Sequence, residues 1–209
     1  IVNENTIEGK IICTPKSGGF GHGHGKIFYD FYFTCELSQK PLKTQFFSNE
    51  ELQNENLNEF SHEDVGLILD FGNSVTEPII LKCGVSYTSL EGARKNLKAE
   101  ITDFDFDAQR KCSSDLWNEV FSIVDVEGSN ETDLNLFYTC LYHVLLDPRV
   151  SADIDGRFSL NGEIIKDDSY IHRTVFSGWD VYRSEFPLLS IIRPDIVNDE
   201  VNSLLKIAE

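Results

Sequence analysis

The sequence predicts an α+β protein with two domains in series. Before Glu91, short runs rich in β-branched and aromatic residues alternate with turn residues, which is typical of strands. Beyond Glu91 the apolar residues recur with helical spacing, and residues that favour helix ends stand beside them. Strands followed by successive helices indicate two domains, with the boundary between Leu90 and Asp107.

Four runs in the first part are predicted strands: 6–13, 26–37, 65–71 and 79–88. The run 26–37 carries apolar residues on both of its faces, as expected for a strand inside a β-sandwich. The polar segment 48–63 is interpreted either as a hairpin loop or as a strand that the pattern does not reveal.

Two helices are predicted at and after the boundary. The first spans 93–99, and the second spans 105–124 with Asp105 as its N-cap. One apolar stripe is expected to bury the second helix: Ala108, Cys112, Leu116, Trp117, Val120, Phe121 and Val124.

Three further helices are predicted in the remainder of the chain. Ser129 or Asn130 caps the first, Pro148 stops it, and its expected buried face is Leu134, Phe137, Tyr138, Leu141, Val144 and Leu145. Asp180 opens the next helix, whose expected stripe is Tyr182, Phe186, Leu189 and Ile192. Pro194 stands in the first turn of the last, which is expected to bury Val197, Val201, Leu204 and Leu205.

Composition excludes several classes of function. The formal net charge of -17 makes nucleic-acid binding unfavourable, because an acidic surface repels phosphate backbones. No apolar run approaches the length of a membrane span. The chain contains no Met and begins and stops within apolar patterns, so we expect an internal fragment of a longer protein.

The five cysteines are widely spaced and form no CxxC pair, which rules out a zinc ribbon or a thioredoxin-type motif. The odd number fits buried free thiols, and it also allows a bridge such as Cys13–Cys35. In the Gly-rich stretch 17–25, His22 and His24 have the spacing of metal ligands in an extended chain. A flexible surface turn is the favoured interpretation of that stretch.

The Trp179–Asp180 pair is the most informative local motif. The indole offers a flat apolar face with one donor, and the carboxylate accepts hydrogen bonds. A pyranose ring needs both, because its C–H face stacks on aromatic surfaces and its hydroxyls need acceptors. The alternative is that Trp179 is a core residue and Asp180 only caps a helix.

Other polar residues have structural interpretations. A compact polar cluster precedes the Trp179 motif and consists of Asp153, Asp155 and Arg157. Its spacing does not fit the calcium-binding loop of an EF-hand. The favoured interpretation is a turn held by an Arg–carboxylate pair, and the alternative is a role at the rim of a sugar-binding site. His143 is interpreted as a core histidine. His172 and Arg173 precede the Trp179 motif and could face a cleft.

Several ordered blocks together resemble glycoside hydrolase family 92, the calcium-dependent exo-acting α-mannosidases. The resemblance covers the chain from about Gly84 to its end, through the blocks EGARKNL (91–97), DFD (105–107), LFYTCLYHVLLDP (136–148), DIDGRF (153–158), TVFSGWDVYR (174–183) and FPLLSIIRPDIVND (186–199). Gly178 and the pair Val181–Tyr182 depart from the usual family pattern and leave the preferred linkage open.

The resemblance implies a fold made of three parts. The chain would hold the C-terminal part of a β-sandwich domain (1–92), a helical connector (93–127) and the first helices of an (α/α)6 catalytic barrel (128–209). It also implies a secreted or periplasmic location, because the family acts on glycans.

The resemblance further implies inverting hydrolysis of terminal α-linked mannose from mannose-containing glycans, with calcium as cofactor. Trp179 and Asp180 match the substrate-binding pair that holds the terminal mannose. The catalytic acid and base are expected beyond Glu209, so we assign no catalytic or metal-binding residue here and expect the chain alone to be inactive. The alternatives are a non-catalytic carbohydrate-binding module, or another (α/α)6 glycosidase or phosphorylase.

Overall fold

The computed structural model describes residues 1–13, 28–73, 76–128, 130–174 and 178–209. These residues form two compact units, Ile1–Phe104 and Asp105–Glu209. The fold is mixed α+β, with small sheets and helices, as the sequence predicts. The division into two units lies inside the predicted interval from Leu90 to Asp107. The finer division at residues 92 and 127 stays a prediction.

The first unit contains six strands and one helix within the described residues. In chain order these are β1 (Thr6–Cys13), β2 (Tyr29–Leu37), β3 (Lys43–Ser48), β4 (Glu51–Leu52), β5 (Gly66–Asp70), β6 (Leu81–Ser86) and α1 (Leu90–Glu100). They form two three-stranded antiparallel sheets, ordered β1-β2-β6 and β4-β3-β5. All four predicted strand runs contain an observed strand.

The β3–β4 hairpin shows why one polar segment was ambiguous. Ser48 faces Glu51 across the hairpin, and the two residues between them, Asn49 and Glu50, have φ of 49° and 64°. That left-handed backbone matches a two-residue hairpin turn. The segment 48–63 therefore contains both a hairpin turn and a two-residue strand that is too short for period-2 alternation to show.

Helix α1 packs on one face of the β1-β2-β6 sheet. A Cβ at Gly84 would lie 2.3 Å from the Ala93 carbonyl oxygen and 2.5 Å from Leu97 Cβ, so the close approach requires glycine. Ala93 and Leu97 are buried there at 0% and 3% exposure. Ser89 begins the helix, since its side chain accepts a hydrogen bond from the Gly92 amide at 3.0 Å.

The second unit contains five helices and one hairpin within the described residues. In chain order these are α2 (Phe106–Phe121), α3 (Glu131–Val144), β7 (Arg157–Leu160), β8 (Glu163–Lys166), α4 (Gly178–Val181), α5 (Glu185–Ile192) and α6 (Pro194–Ala208). Asp105 caps α2 and Asn130 caps α3, each through a side-chain oxygen that accepts an amide hydrogen bond. The alternative cap, Ser129, lies outside the described residues.

Aromatic contacts join α2 and α3. The ring of Trp117 lies 4.7 Å from that of Tyr142, and the ring of Phe121 lies 6.0 Å from that of Tyr138. Of the six apolar residues predicted to bury α3, Leu141 is buried and the other five are half-buried. On α2 the prediction holds only for the C-terminal half, because Ala108, Cys112 and Leu116 are exposed in this chain.

Two helix predictions are wrong. Asp180 does not open a long helix, because it is the third residue of the one-turn α4, and α5 begins separately at Glu185. The buried face of α6 is Ile196, Glu200 and Ser203. Of the predicted face, Val197 is half-buried, whereas Val201, Leu204 and Leu205 are exposed. The buried Arg173 accounts for part of this polar face, because its amide donates to Ser203 and its guanidinium pairs with Asp199.

The β7–β8 hairpin was not predicted, because its strands have only four residues each. The turn before the hairpin has the predicted Arg–carboxylate pair, in which Arg157 Nη2 lies 2.8 Å from Asp155 Oδ2. Gly156 has φ of +76°, and a Cβ there would lie 2.2 Å from Asp168 Oδ1. The cluster is therefore a structural turn, which confirms the favoured interpretation.

Candidate functional site

Trp179 and Asp180 lie together on the surface of the one-turn helix α4. Trp179 is 75% exposed, so the interpretation of Trp179 as a core residue of this chain is wrong. Asp180 is also exposed. An exposed indole next to an exposed carboxylate leaves both groups accessible to a ligand.

The chain on the N-terminal side of α4 is held in place by short backbone contacts. The amide of Thr174 donates to the carbonyl of Arg149 at 2.8 Å, and the amide of Arg149 donates to Thr174 Oγ1 at 3.1 Å. Val150 and Arg173 form a β-bridge next to them. Residues 175–177, which connect this bridge to α4, lie outside the described residues.

Arg173 ties this bridge to α6. Its guanidinium donates to Asp199 Oδ2 at 3.0 and 3.2 Å and to the Pro148 carbonyl at 3.1 Å. Its amide donates to Ser203 Oγ at 3.0 Å. Arg173 is only 8% exposed, so it is a buried anchor beneath the segment leading to α4 and does not face a cleft of this chain.

On the C-terminal side, α5 fixes the chain through Leu189, which is 0% exposed. Between α4 and α5, Tyr182 is exposed and the guanidinium of Arg183 lies over its ring at 5.5 Å. Burial raises the pKa of Glu185, and the negative charge of Asp147 raises it further. The surroundings of α4 therefore carry both aromatic and charged groups.

Sequence reasoning missed a second polar cluster, which is buried. Glu200 is 0% exposed, and neither of its carboxylate oxygens has a hydrogen-bond partner in the described structure. Burial raises its pKa to about 7, while the positive charge of Arg173 acts in the opposite direction. His172 is also buried and stacks on Phe158 at 3.9 Å, and desolvation lowers its pKa.

No periodicity signal could have identified this cluster, because a polar stripe on an amphipathic helix usually faces water.

The remaining histidine predictions have mixed outcomes. His143 is exposed, so its interpretation as a core residue is wrong: it lies on the face of α3 opposite the buried residues. His22 and His24 lie outside the described residues.

Within the described ranges, no three His, Cys, Asp or Glu side chains are grouped so that they could hold a metal ion. The described residues therefore do not by themselves form a calcium site. Among the helices that the structure describes, none is both long and apolar enough to cross a membrane.

A separate cavity of ≈ 180 Å³ lies in the second unit among α2, α6 and the end of α3. Its lining is mainly apolar, with Trp117, Leu145 and Ile196 as the larger contributors and Arg193 as the one charged residue. A pyranose site needs several hydrogen-bonding groups, and this cavity offers few. The Trp179–Asp180 surface fits that chemistry better, because it combines a stacking face with acceptor oxygens.

Part of the chain matches a known protein family. Residues 92–209 match the model of the glycosyl hydrolase family 92 catalytic domain. No curated protein sequence is similar enough to count as a match.

Solved structures match almost the whole chain. The family GH92 α-mannosidase BT3965 from Bacteroides thetaiotaomicron is 25% identical, with a TM-score of 0.81 over 99% of this chain and 27% of its own. The GH92 glycosyl hydrolase ccman5 is 25% identical, with a TM-score of 0.82 over 98% of this chain and 26% of its own. The inverting mannosidase BT2199 from the same Bacteroides species is 20% identical, with a TM-score of 0.78 over 97% of this chain and 27% of its own. The chain thus spans about a quarter of the length of the structures it matches.

Proposed function

The chain belongs to glycosyl hydrolase family 92, and we propose that it forms part of an enzyme that removes terminal α-linked mannose from glycans with inversion. The activities of two similar proteins support the proposal. BT3965 is an α-mannosidase whose structure was also solved with mannoimidazole, and BT2199 is an inverting mannosidase. The match of the catalytic-domain model over 92–209 covers this chain's second unit and supports assigning that unit to the catalytic domain.

The proposed role of this chain is to supply part of the pocket for the terminal mannose. The observation that carries it is the exposed Trp179 beside the exposed Asp180 on α4. The indole would stack on the C–H face of the sugar, and the carboxylate would accept hydrogen bonds from its hydroxyls. The anchored segment that ends at Thr174 and the buried Leu189 of α5 would fix the pair from both sides.

The proposal assigns the acid and base to residues outside this chain. An inverting glycosidase needs two carboxyl groups held far enough apart to admit a water. A calcium requirement is part of the proposal, with its ligands also outside the residues described here, and so is a secreted or periplasmic location.

The proposed architecture divides the chain into three parts. The sheets before Phe104 would belong to a β-sandwich domain (1–92), α2 would belong to a helical connector (93–127), and α3 to α6 would begin an (α/α)6 barrel (128–209). The succession of sheets and then helices in the two units supports this order.

Replacing Asp180 by Asn in the intact enzyme tests the pocket. Asn keeps the size of the side chain but loses the charge of the acceptor. A charge-assisted hydrogen bond contributes about 1.5–3 kcal/mol, so kcat/KM on an α-mannoside is expected to fall at least about tenfold. The circular dichroism spectrum and the unfolding temperature should stay unchanged.

The matched control is Asp115→Asn, which alters an exposed carboxylate of α2 that pairs with Lys111. Its kinetics should equal those of the unmodified enzyme. Unmodified kinetics for Asp180→Asn would refute the role of Asp180. In a separate test, the purified 209-residue chain should release no mannose from a synthetic α-mannoside, and calcium-dependent release would refute the assignment of the acid and base.

A further inference from the structure

Two cysteines face each other across the first sheet. Cys35 of β2 and Cys83 of β6 are direct partners in the antiparallel register. Directly opposed residues of such strands have Cα atoms about 4.5–5.5 Å apart, which lies within the range that disulfides span. The backbone therefore already has the separation that a cross-strand bond requires.

The sulfur atoms are also in contact. The Sγ atoms of Cys35 and Cys83 lie 2.9 Å apart. A disulfide bond is about 2.05 Å long, so a shift of roughly 0.9 Å in side chains alone would bring the sulfurs to bonding distance. We propose that Cys35 and Cys83 form a disulfide bond that joins β2 to β6.

The cysteine pair and helix α1 lie on opposite faces of the sheet. Gly84, the neighbour of Cys83, is packed against Ala93 and Leu97 of α1. Successive residues of a strand point to opposite faces, so Cys83 lies on the face away from α1. Bond formation there changes none of the contacts that hold the helix.

The reaction needs a disulfide as oxidant, such as oxidised glutathione. The exposed Cys83 thiolate attacks one sulfur of the oxidant, which forms a mixed disulfide and releases one thiolate. The Cys35 thiolate then attacks Cys83 Sγ, which forms the Cys35–Cys83 bond and releases the second thiolate. The two cysteines lose two electrons and two protons, and the oxidant is reduced to two thiols.

The environments of the two sulfurs indicate that Cys83 reacts first and Cys35 second. Burial, together with the contact with Cys83, raises the pKa of the half-buried Cys35 to about 12. A thiol that ionises so poorly is a weak nucleophile towards an external oxidant. Once Cys83 is in a mixed disulfide, its sulfur is neutral and adjacent to Cys35, so the second step is intramolecular.

The other three cysteines are poorly placed to compete. Cys13 faces Tyr29 at the far end of the β1–β2 pair, whereas Cys35 faces Ile7, so the two are about 20 Å apart along the strands. The suggested Cys13–Cys35 bridge is therefore excluded by the register. Cys112 and Cys140 belong to the second unit, in α2 and α3.

The bond would close a loop between residues 48 positions apart. That loop contains β3, β4 and β5, so the bond would limit the freedom of the second sheet in the unfolded chain. Closing a loop of this length typically stabilises a protein. For this chain the expected rise in the unfolding temperature is roughly 5–15 °C.

The test is thiol counting on the folded chain. The reduced protein has five thiols, and treatment with oxidised glutathione followed by denaturing titration should leave three. The intact mass should fall by two hydrogen atoms, and peptide mapping should join the peptides of Cys35 and Cys83. Five remaining thiols, glutathione attached without a bridge, or a bridge between another pair would each refute the proposal.

Variants separate the proposed bond from general oxidation. Cys35→Ser should lose the bridge and accumulate glutathione on Cys83, because the second nucleophile is missing. The control Cys112→Ser should keep the bridge, going from four thiols to two. Adding denaturant before the oxidant should scramble the pairing, and an unchanged Cys35–Cys83 yield there would show that the fold does not direct it.

Discussion

Helices α3 and α6 belong to the same unit and have similar lengths, but the sequence predicts the buried face of only one. On α3 the six apolar residues with helical spacing are all buried or half-buried, and Leu141 is 5% exposed. On α6 Val197 is half-buried, but the rest of the predicted apolar face is open, with Val201 at 49% and Leu205 at 60% exposure. The buried face of α6 contains Glu200 and Ser203 at 0% and 1%.

The difference lies in what each helix packs against. The face of α3 meets aromatic residues of α2, so burying apolar side chains stabilises the contact. The face of α6 meets Arg173, which is itself buried and needs acceptors. A hydrophobic stripe therefore identifies the buried face of α3, whose neighbour is apolar. It does not identify the buried face of α6, whose neighbour is the buried cation Arg173.

Removing the cation should have the largest effect. Arg173→Met leaves Asp199 without its partner at 3.0 Å and the Pro148 carbonyl without its donor. Breaking a buried ion pair by removing one partner costs about 3–5 kcal/mol. We expect a loss of that size in the free energy of unfolding, and faster amide hydrogen exchange in α6 than in α3.

The control for that change is Arg183→Met, since Arg183 is exposed and lies over the ring of Tyr182. A surface arginine of this kind contributes about 1 kcal/mol or less. Equal losses for the two variants would show that α6 does not depend on a buried cation.

Glu200 should make the contrast between the helices depend on pH. Its folded-state pKa is raised to about 7 from 4.5, so the folded chain holds the proton more tightly than the unfolded chain. Stability from this group is complete below pH 4.5, decreases as the pH rises towards 7 and is absent above it. The total change is about 3 kcal/mol by linkage.

Comparing Glu200→Gln with the unmodified chain isolates this contribution. Burial lowers the pKa of His172, so the stability that this group contributes is lost as the pH falls. Because His172 is present in both proteins, its contribution cancels in the comparison. The variant should gain stability relative to the unmodified chain as the pH rises from 4.5 to 7. The exposed control Glu119→Gln should show no such trend, and a flat difference curve for Glu200→Gln would contradict the prediction.

The same contrast explains which features could be predicted from sequence. Strand β1 has the predicted bounds, and the Asp105 and Asn130 caps were found, because these features depend on neighbours in the sequence. Trp179 and Asp180 were identified as a motif, but their exposure depends on tertiary packing. The partnership of Arg173 with Asp199 joins residues 26 positions apart, and no local pattern encodes such a contact.

Asp180 illustrates the same limit at the candidate site. Its spacing to the apolar residues that follow suggested a helix start, and the observed break between α4 and α5 leaves it inside a single turn. An aspartate before an apolar run is a good cap signal only if the helix continues. Here the helix ends at Val181, so the exposed pair lies within a single helical turn.

The smallest expected effect belongs to Val201→Ala on the open face of α6. Val201 is 49% exposed, and alanine is the better helix former, so the lost contact is offset and the free energy of unfolding should change by less than about 0.5 kcal/mol. The same kind of truncation at buried Leu141 of α3 should cost about 2–5 kcal/mol because it leaves a cavity. Chemical denaturation of the two variants measures the contrast directly. A cost above about 1.5 kcal/mol for Val201→Ala would mean that the apolar stripe of α6 is buried after all, and that the polar face is not the one that holds the helix.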